Sequence, residues 1–343
     1  MNPPRIAVII LNWNGKDDTL ACLASVTSID YPDFQAVVVD NGSSDGSVAA
    51  FRQAYPQFTV LETGANLGYA GGNNVGIRWA LDQGFDGLLV LNNDTVVARD
   101  ILHAFAAAQE QFPQAGVFGA KIYYHAQPDV LWFAGGIWRS DNLEFDHVGK
   151  DRPDGPEFSE PRAFDYMTGC AIYAPAEVFR SVGLFGEEFF LTYEETDWCY
   201  RARAKGYTPT YIPAARLWHK VSASFGGAVS PLMTYFMARN RLLFVRRHQS
   251  AGTLARLLRK LLGELGKAIF PHPKFFLAGT WLSPRRFYWA LGAYRREVGQ
   301  RARQPQTRAR LLGLKDFLLG RLGNCPDAVR ALSKAAPGPD AAG

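Results

Sequence analysis

The sequence predicts an α/β fold: a mixed, mostly parallel central sheet flanked by helices, followed by a basic helical C-terminal extension. Three observations carry this. Continuous apolar runs alternate with helical segments through the first 120 residues, as in sheets buried on both faces with helical crossovers. Polar, Gly-rich breaks follow those runs at their carboxyl ends, where open α/β sheets bind ligands. The charge also divides along the chain. From Pro231 to Gly343 there are 21 basic and 5 acidic residues, a balance of +16, whereas Met1–Ser230 carries 16 basic and 27 acidic residues, a balance of −11. Such a break places a boundary near Ser230.

Taken in order, Ile6–Leu11 is an apolar strand broken by Asn12-Trp13-Asn14-Gly15. Ala36–Val39 is a second, ended by the turn formers Asp40-Asn-Gly-Ser-Ser-Asp-Gly46. Thr59–Leu61 is a third, Leu88–Leu91 a fourth ended by Asn92-Asn93-Asp94, and Val117-Phe118 begins a fifth. Helical segments are expected at Leu20–Ser25, Ser47–Ala54, Asn73–Asp82 and Asp100–Gln111. Tyr124–Pro161 reads as short strands and turns covering the site, and Phe164–Tyr211 is ordered again. Beyond Pro231 helical periodicity dominates: Leu254, Leu257, Leu258, Leu261, Leu262 and Leu265 fall on one face. The expected organisation is a catalytic domain over residues 1–230, a basic helical region over 231–334 and a flexible tail over 335–343.

Composition excludes several classes. With 48% hydrophobic and 20% charged residues the chain builds a core and is not disordered. Its 4 cysteines lie far apart with no CxxC pair, which argues against a disulfide scaffold or zinc finger and fits a reducing, cytoplasmic compartment. No signal peptide precedes the first strand, and no apolar run is long enough to suggest a membrane-spanning helix.

Certain residue patterns carry chemistry. Asp40, just past the second strand, can accept hydrogen bonds from a base or ribose, or serve only its turn. Asn66–Asn74 is a Gly-rich segment entering a helix, either a phosphate cradle or a tight turn with a capped helix. Asp94 at the fourth strand's end suits a hard divalent cation bridging to a diphosphate, or a cap. Glu194, Glu195 and Asp197 crowd three carboxylates into four positions, so at least one pKa should rise. Asp197 and Arg201 read as a structural i,i+4 pair, and one glutamate as catalytic. His219 follows an apparent strand and gains weight because Asp94 lacks protein partners for a metal.

Together these segments resemble the family 2 glycosyltransferases with the GT-A fold, nearest their rhamnosyltransferase-like branch. The matching residues are Val8–Asn14, Val37–Gly46, Asn66–Asn74, Leu91–Asp94, Thr168-Gly169, Phe189–Asp197, Trp218-His219 and Arg239-Asn240, in family order over about residues 5–245. The resemblance implies a GT-A nucleotide-binding sandwich and an inverting, metal-dependent transfer of one sugar, rhamnose among the candidates, to a hydroxyl acceptor in cell-surface polysaccharide or glycolipid assembly. It places Asn12, Asn14, Asp40, Asn66, Gly68, Asn73, Asn92 and Asn93 at the nucleotide sugar, with Asp40 on the base. Asp94 and His219 become the ligands of Mg²⁺ or Mn²⁺; Asn92 stands where the family's DxD motif has its first Asp. Glu195 occupies the place of the catalytic base with Glu194 as rival, and Thr168 and Gly169 face the acceptor. The processive QxxRW signature is absent.

The implied partners are a UDP- or dTDP-linked donor and a glycan or lipid-linked acceptor, not nucleic acid. The basic C-terminal region, with Phe275-Phe-Leu and Phe287-Tyr-Trp289, reads as a peripheral contact with the inner face of the plasma membrane, or as helices packed in a protein interface. The competing classes are a nucleotidyltransferase that makes a nucleotide sugar and a non-catalytic sugar-binding scaffold.

Overall fold

Residues 3–221, 230–272 and 283–335 are described in the computed structural model, which divides into two units, Met1–Ser222 and Ala223–Gly343. In the first unit β1 (Ile6–Asn12), α1 (Lys16–Thr27), β2 (Phe34–Asp40), α2 (Ser47–Ala54), β3 (Thr59–Glu62), α3 (Gly68–Asp82) and β4 (Gly87–Asn92) alternate. Then come β5 (Thr95–Val97), α4 (Ile101–Gln111), β6 (Gly116–Tyr124), β7 (Gln127–Phe133), β8 (Gly136–Arg139), β9 (Glu144–His147), β10 (Arg152–Pro153), β11 (Arg162–Ala163) and β12 (Ala171–Pro175). The unit ends with α5 (Ala176–Val182), α6 (Glu194–Ala204) and β13 (Thr208–His219).

Strands β3, β2, β1 and β4 run parallel. The sheet turns mixed at β12, which is antiparallel to both β4 and β6, and β13 then runs parallel to β6. Continuous Val/Ile/Leu runs suit these inner strands because both faces are covered: Ile6–Ile10, Val37–Val39 and Leu88–Val90 are fully buried. Register then sets the site. Asn12 pairs with Asp40 across β1 and β2, and Leu11 pairs with Asn92 across β1 and β4. Three polar strand ends thus emerge side by side at the carboxyl edge.

Two local differences from the sequence reading have clear causes. Helix α3 starts at Gly68 rather than Asn73. Its glycines weaken helix propensity but admit close packing: a Cβ on Gly72 would lie 2.4 Å from Leu11 Cδ1, and one on Gly76 2.4 Å from Ile9 Cγ2. Helix α1 is also longer than Leu20–Ser25, because Asp17 and Asp18 favour its first turn.

The second unit is helical: α7 (Pro231–His248), α8 (Ala251–Ile269), α9 (Pro284–Arg303), α10 (Pro305–Leu318) and α11 (Asp327–Ala335). Ser230 caps α7 by accepting from Met233 N at 3.1 Å, with Pro231 in the first turn. Gly313 lets α10 approach α7, since a Cβ there would lie 2.6 Å from Tyr235 O. The fully buried Arg239 donates to Gly323 O (2.6 Å) and to Asn240 Oδ1 (2.9 Å), so the Arg239-Asn240 pair is engaged within this helical unit. The leucine stripe of α8 is only partly turned inward: Leu257, Leu261 and Leu265 are buried, whereas Leu262 is exposed. Phe275-Phe-Leu and residues 336–343 of the expected tail lie outside the described residues; Ala335 ends α11. No helix among the described residues is long and apolar enough to cross a membrane.

Candidate active site

The ends of β1 and β2 are locked to each other. Asn12 Nδ2 donates to Asp40 Oδ1 (2.8 Å) and to Ser43 Oγ (3.0 Å), while Ser43 N donates to Asp40 Oδ2 (2.9 Å). Asn12 Oδ1 accepts from Thr19 Oγ1 at 2.8 Å, fixing the amide's orientation. Asn14, at φ +50°, accepts Ser44 N on its Oδ1 (2.8 Å). The asparagines therefore hold the two turns together around a buried Asp40 whose carboxylate has lone pairs left for a ligand.

The Gly-rich segment does not build a phosphate cradle. Leu67 N donates to Asn41 Oδ1 (2.9 Å), Gly68 N to Asn66 Oδ1 (2.8 Å), and Tyr69 N to Phe190 O (2.7 Å). The amides that would meet a phosphate are engaged inside the protein. Gly68 is required for a different reason: its φ is +75° and a Cβ would lie 2.4 Å from Phe190 O. Asn73 is buried, with Nδ2 donating to Tyr69 O (3.0 Å) and Oδ1 without a partner among the described residues. Asn93 turns toward α1, donating to Thr19 Oγ1 at 2.8 Å, and Asn92 caps β4 through Asn92 N to Cys170 O (3.0 Å).

Asp94 and His219 meet although 125 positions apart, because β13 pairs with β5 and places His219 opposite Thr95. His219 Nε2 lies 3.1 Å from Asp94 Oδ1, and both residues are 7% exposed. His219 Nδ1 is buried without a partner among the described residues. A carboxylate oxygen beside an imidazole nitrogen is a donor set that fits Mn²⁺ or Mg²⁺. No group of three or more His, Cys, Asp or Glu side chains assembles among the described residues, so two protein ligands are what this pair offers.

Glu194 and Glu195 open α6, reached through a strained turn in which Phe190, Thr192 and Tyr193 all have positive φ. Such backbone costs about 1–3 kcal/mol per residue and collects where a site demands a fixed shape. Burial, and then the charge of Glu195, pushes the Glu194 carboxyl well above the ordinary range; burial also raises Glu195, against the pull of the amides of Glu195, Thr196 and Gly169. Glu194 is 3% exposed, whereas Glu195 keeps a partly open face. One oxygen of each carboxylate, Oε2, has no partner among the described residues. Thr168 and Gly169 precede β12 beside this pair. Asp197, fully buried, accepts Arg201 Nε at 2.8 Å, and Arg201 also holds Val182 O and Leu184 O.

Tyr69 joins these parts and was not singled out from the sequence, although it lies inside Asn66–Asn74. Its hydroxyl donates to Gly169 O at 2.5 Å. Its phenol is held far above the usual value by burial and then by the charges of Glu195, Glu194, Cys170 and Asp94. Tyr69 thus ties the start of α3 to Gly169, whose amide in turn meets Glu195. An aromatic chain was missed as well. Trp132 stands edge-on to His219 (4.6 Å between ring centres) and to His147 (4.8 Å), and Phe145 stands against Tyr166 (4.8 Å) and Tyr193 (6.0 Å). Trp132, Phe145 and His147 come from the 124–161 segment, whose irregular spacing gave no periodic signal.

The unit thus joins a polar carboxyl edge, on a sheet parallel from β3 to β4 and mixed beyond, to an acid–histidine pair and two adjacent glutamates. The family described as Glycosyl transferase family 2 matches residues 7–164. Among curated relatives, the low-salt glycan biosynthesis hexosyltransferase Agl10 of Haloferax volcanii is 25% identical over 69% of this chain and 74% of its own. The N-acetylglucosaminyl-diphospho-decaprenol L-rhamnosyltransferase of Mycobacterium tuberculosis is 28% identical over 60% of this chain and 72% of its own. Among solved structures, a mannosyltransferase from Pyrobaculum calidifontis in complex with GDP-Man and Mn²⁺ superposes with a TM-score of 0.53 at 16% identity, covering 94% of this chain and 89% of that one. Residues 7–164 thus carry a glycosyltransferase family 2 domain, on a fold of the GT-A type.

Proposed function

We propose that the chain is a metal-dependent, inverting transferase that moves a single sugar from a UDP- or dTDP-linked donor to a hydroxyl of a lipid-linked glycan. The observation that carries this is the adjacent glutamates that open α6, each with one carboxylate oxygen, Oε2, left without a partner among the described residues. Two raised carboxylates beside each other divide their roles. Both carboxyls are raised by burial, and the charge of Glu195 adds to the rise of Glu194; Glu195, partly open and met by the amides of Glu195, Thr196 and Gly169, is the better placed of the two to take a proton. Glu195 takes the acceptor hydroxyl's proton as that oxygen attacks the anomeric carbon and the bond to the β-phosphate breaks. Asp94 and His219 would hold the divalent cation, which when bound neutralises charge on the departing diphosphate. Asp40, fixed by Asn12 and Ser43, contacts the base or ribose, while Thr168 and Gly169 lie on the acceptor side next to Glu195.

Residues 1–230 carry this chemistry, and the basic region over 231–334 serves placement at the cytoplasmic membrane face. The Mycobacterium tuberculosis relative, named for transfer of L-rhamnose to a diphospho-decaprenol-linked sugar, supports rhamnose and a lipid-linked acceptor. The test is nucleoside-diphosphate release by the purified chain across dTDP-, UDP- and GDP-sugars, with Mn²⁺ and with chelator. Chelator-sensitive release from one donor class is expected. Release of a nucleotide sugar from a sugar phosphate and a triphosphate, or no turnover of any donor, would overturn the reading.

A further inference from the structure

Helix α9 presents one face of uniform chemistry. Arg285, Tyr288, Trp289, Gly292 and Arg296 follow helical spacing along it. Tyr288 and Trp289 are each 72% exposed, and Arg285 and Arg296 are exposed beside them. The buried residue of α9, Ala290, lies on the other side. Glu297, the one acid of this helix, is also off this face and held by Arg301 at 2.7 Å. Helix α8, which had the stronger apolar stripe in sequence, turns Leu257, Leu261 and Leu265 inward.

Aromatic rings with polar edges, exposed beside arginines on a face that carries none of the helix's own acids, match the headgroup zone of a bilayer. The charge supports the same occupant: the balance from Pro231 onward is +16, complementary to anionic lipid. We propose that this face of α9 docks on an anionic phospholipid surface, with Tyr288 and Trp289 at headgroup depth and Arg285 and Arg296 on lipid phosphates. The inference gives the membrane contact proposed above a specific surface and rests on that reading for its purpose.

The test is co-sedimentation of the full chain with vesicles of phosphatidylcholine alone or with about one third phosphatidylglycerol, without donor or acceptor. Binding should need phosphatidylglycerol and fall away between about 0.05 and about 0.5 M salt. Tyr288→Ala with Trp289→Ala should weaken it by about tenfold or more. Arg285→Gln with Arg296→Gln should weaken it by about fivefold per arginine. The four side chains are exposed, and far-UV circular dichroism checks that both variants stay folded. Unchanged partitioning in both variants, equal binding to neutral vesicles, or capture of a single-stranded oligonucleotide in place of vesicles would overturn the assignment. No sugar transfer enters this assay, so its failure leaves the enzymatic reading standing, and the converse holds.

Discussion

Replacing Glu195 by Gln keeps the side chain's size and removes its ability to take a proton. Loss of a general base costs about 10²–10⁴-fold in rate, or about 2.7–5.5 kcal/mol of barrier. Stability should move the opposite way. Both glutamate carboxyls are raised by burial, so the folded state binds their protons more tightly than the unfolded chain. The stability that this linkage supplies is complete below the unfolded pKa and is lost as pH rises through the folded values. At neutral pH the ionised glutamate is therefore a cost that Gln relieves, worth roughly 0.5–2 kcal/mol. For a unit of this size that is about 2–4 °C in Tm per kcal/mol. Steady-state nucleotide release and a thermal melt of the same preparation read the two effects together. Loss of rate with a matching loss of stability would mark Glu195 as a structural residue and not the base. A near wild-type rate in Glu195→Gln with a large loss in Glu194→Gln would move the role to Glu194.

Asp94→Ala should weaken nucleoside-diphosphate binding by at least about tenfold in Mn²⁺ while changing little in chelator, by titration calorimetry; equal affinities in Mn²⁺ would remove Asp94 from the cation site. Asp197→Ala leaves the Arg201 guanidinium without its carboxylate at 2.8 Å and should cost about 2–3 kcal/mol by urea denaturation, the side chain of Arg201 being partly solvated. Burial, then the nearby Lys150, depresses His147 to about 4. The folded state thus binds that proton less tightly, and stability should fall by up to about 3 kcal/mol as pH drops from about 6.5 toward 4. His147→Gln should flatten that slope in melts taken across the range.

Much of the fold was legible because its strands are continuous Val/Ile/Leu runs with abrupt polar ends, and Asn12, Asp40 and Asp94 mark those ends. The crowding of Glu194 and Glu195 and the resulting rise of their carboxyls were legible, since local spacing alone brings them together. What sequence could not show is long-range pairing. The 3.1 Å approach of His219 to Asp94 depends on β13 pairing with β5, and β12 enters antiparallel between β4 and β6. Helix α3 begins earlier than expected because packing of Gly72 and Gly76 against β1 overrides their poor propensity. Trp132 and Tyr69 act through neighbours far away in sequence, for which no spacing rule exists.

In the proposed single displacement, Glu195 would face the anomeric carbon opposite the leaving diphosphate. The anomeric configuration of the first-formed product, read from its one-bond C–H coupling by NMR and compared with that of the donor, decides it. A single displacement gives a product of the opposite configuration. A product with the donor's configuration would contradict it, because one displacement cannot retain the anomeric centre.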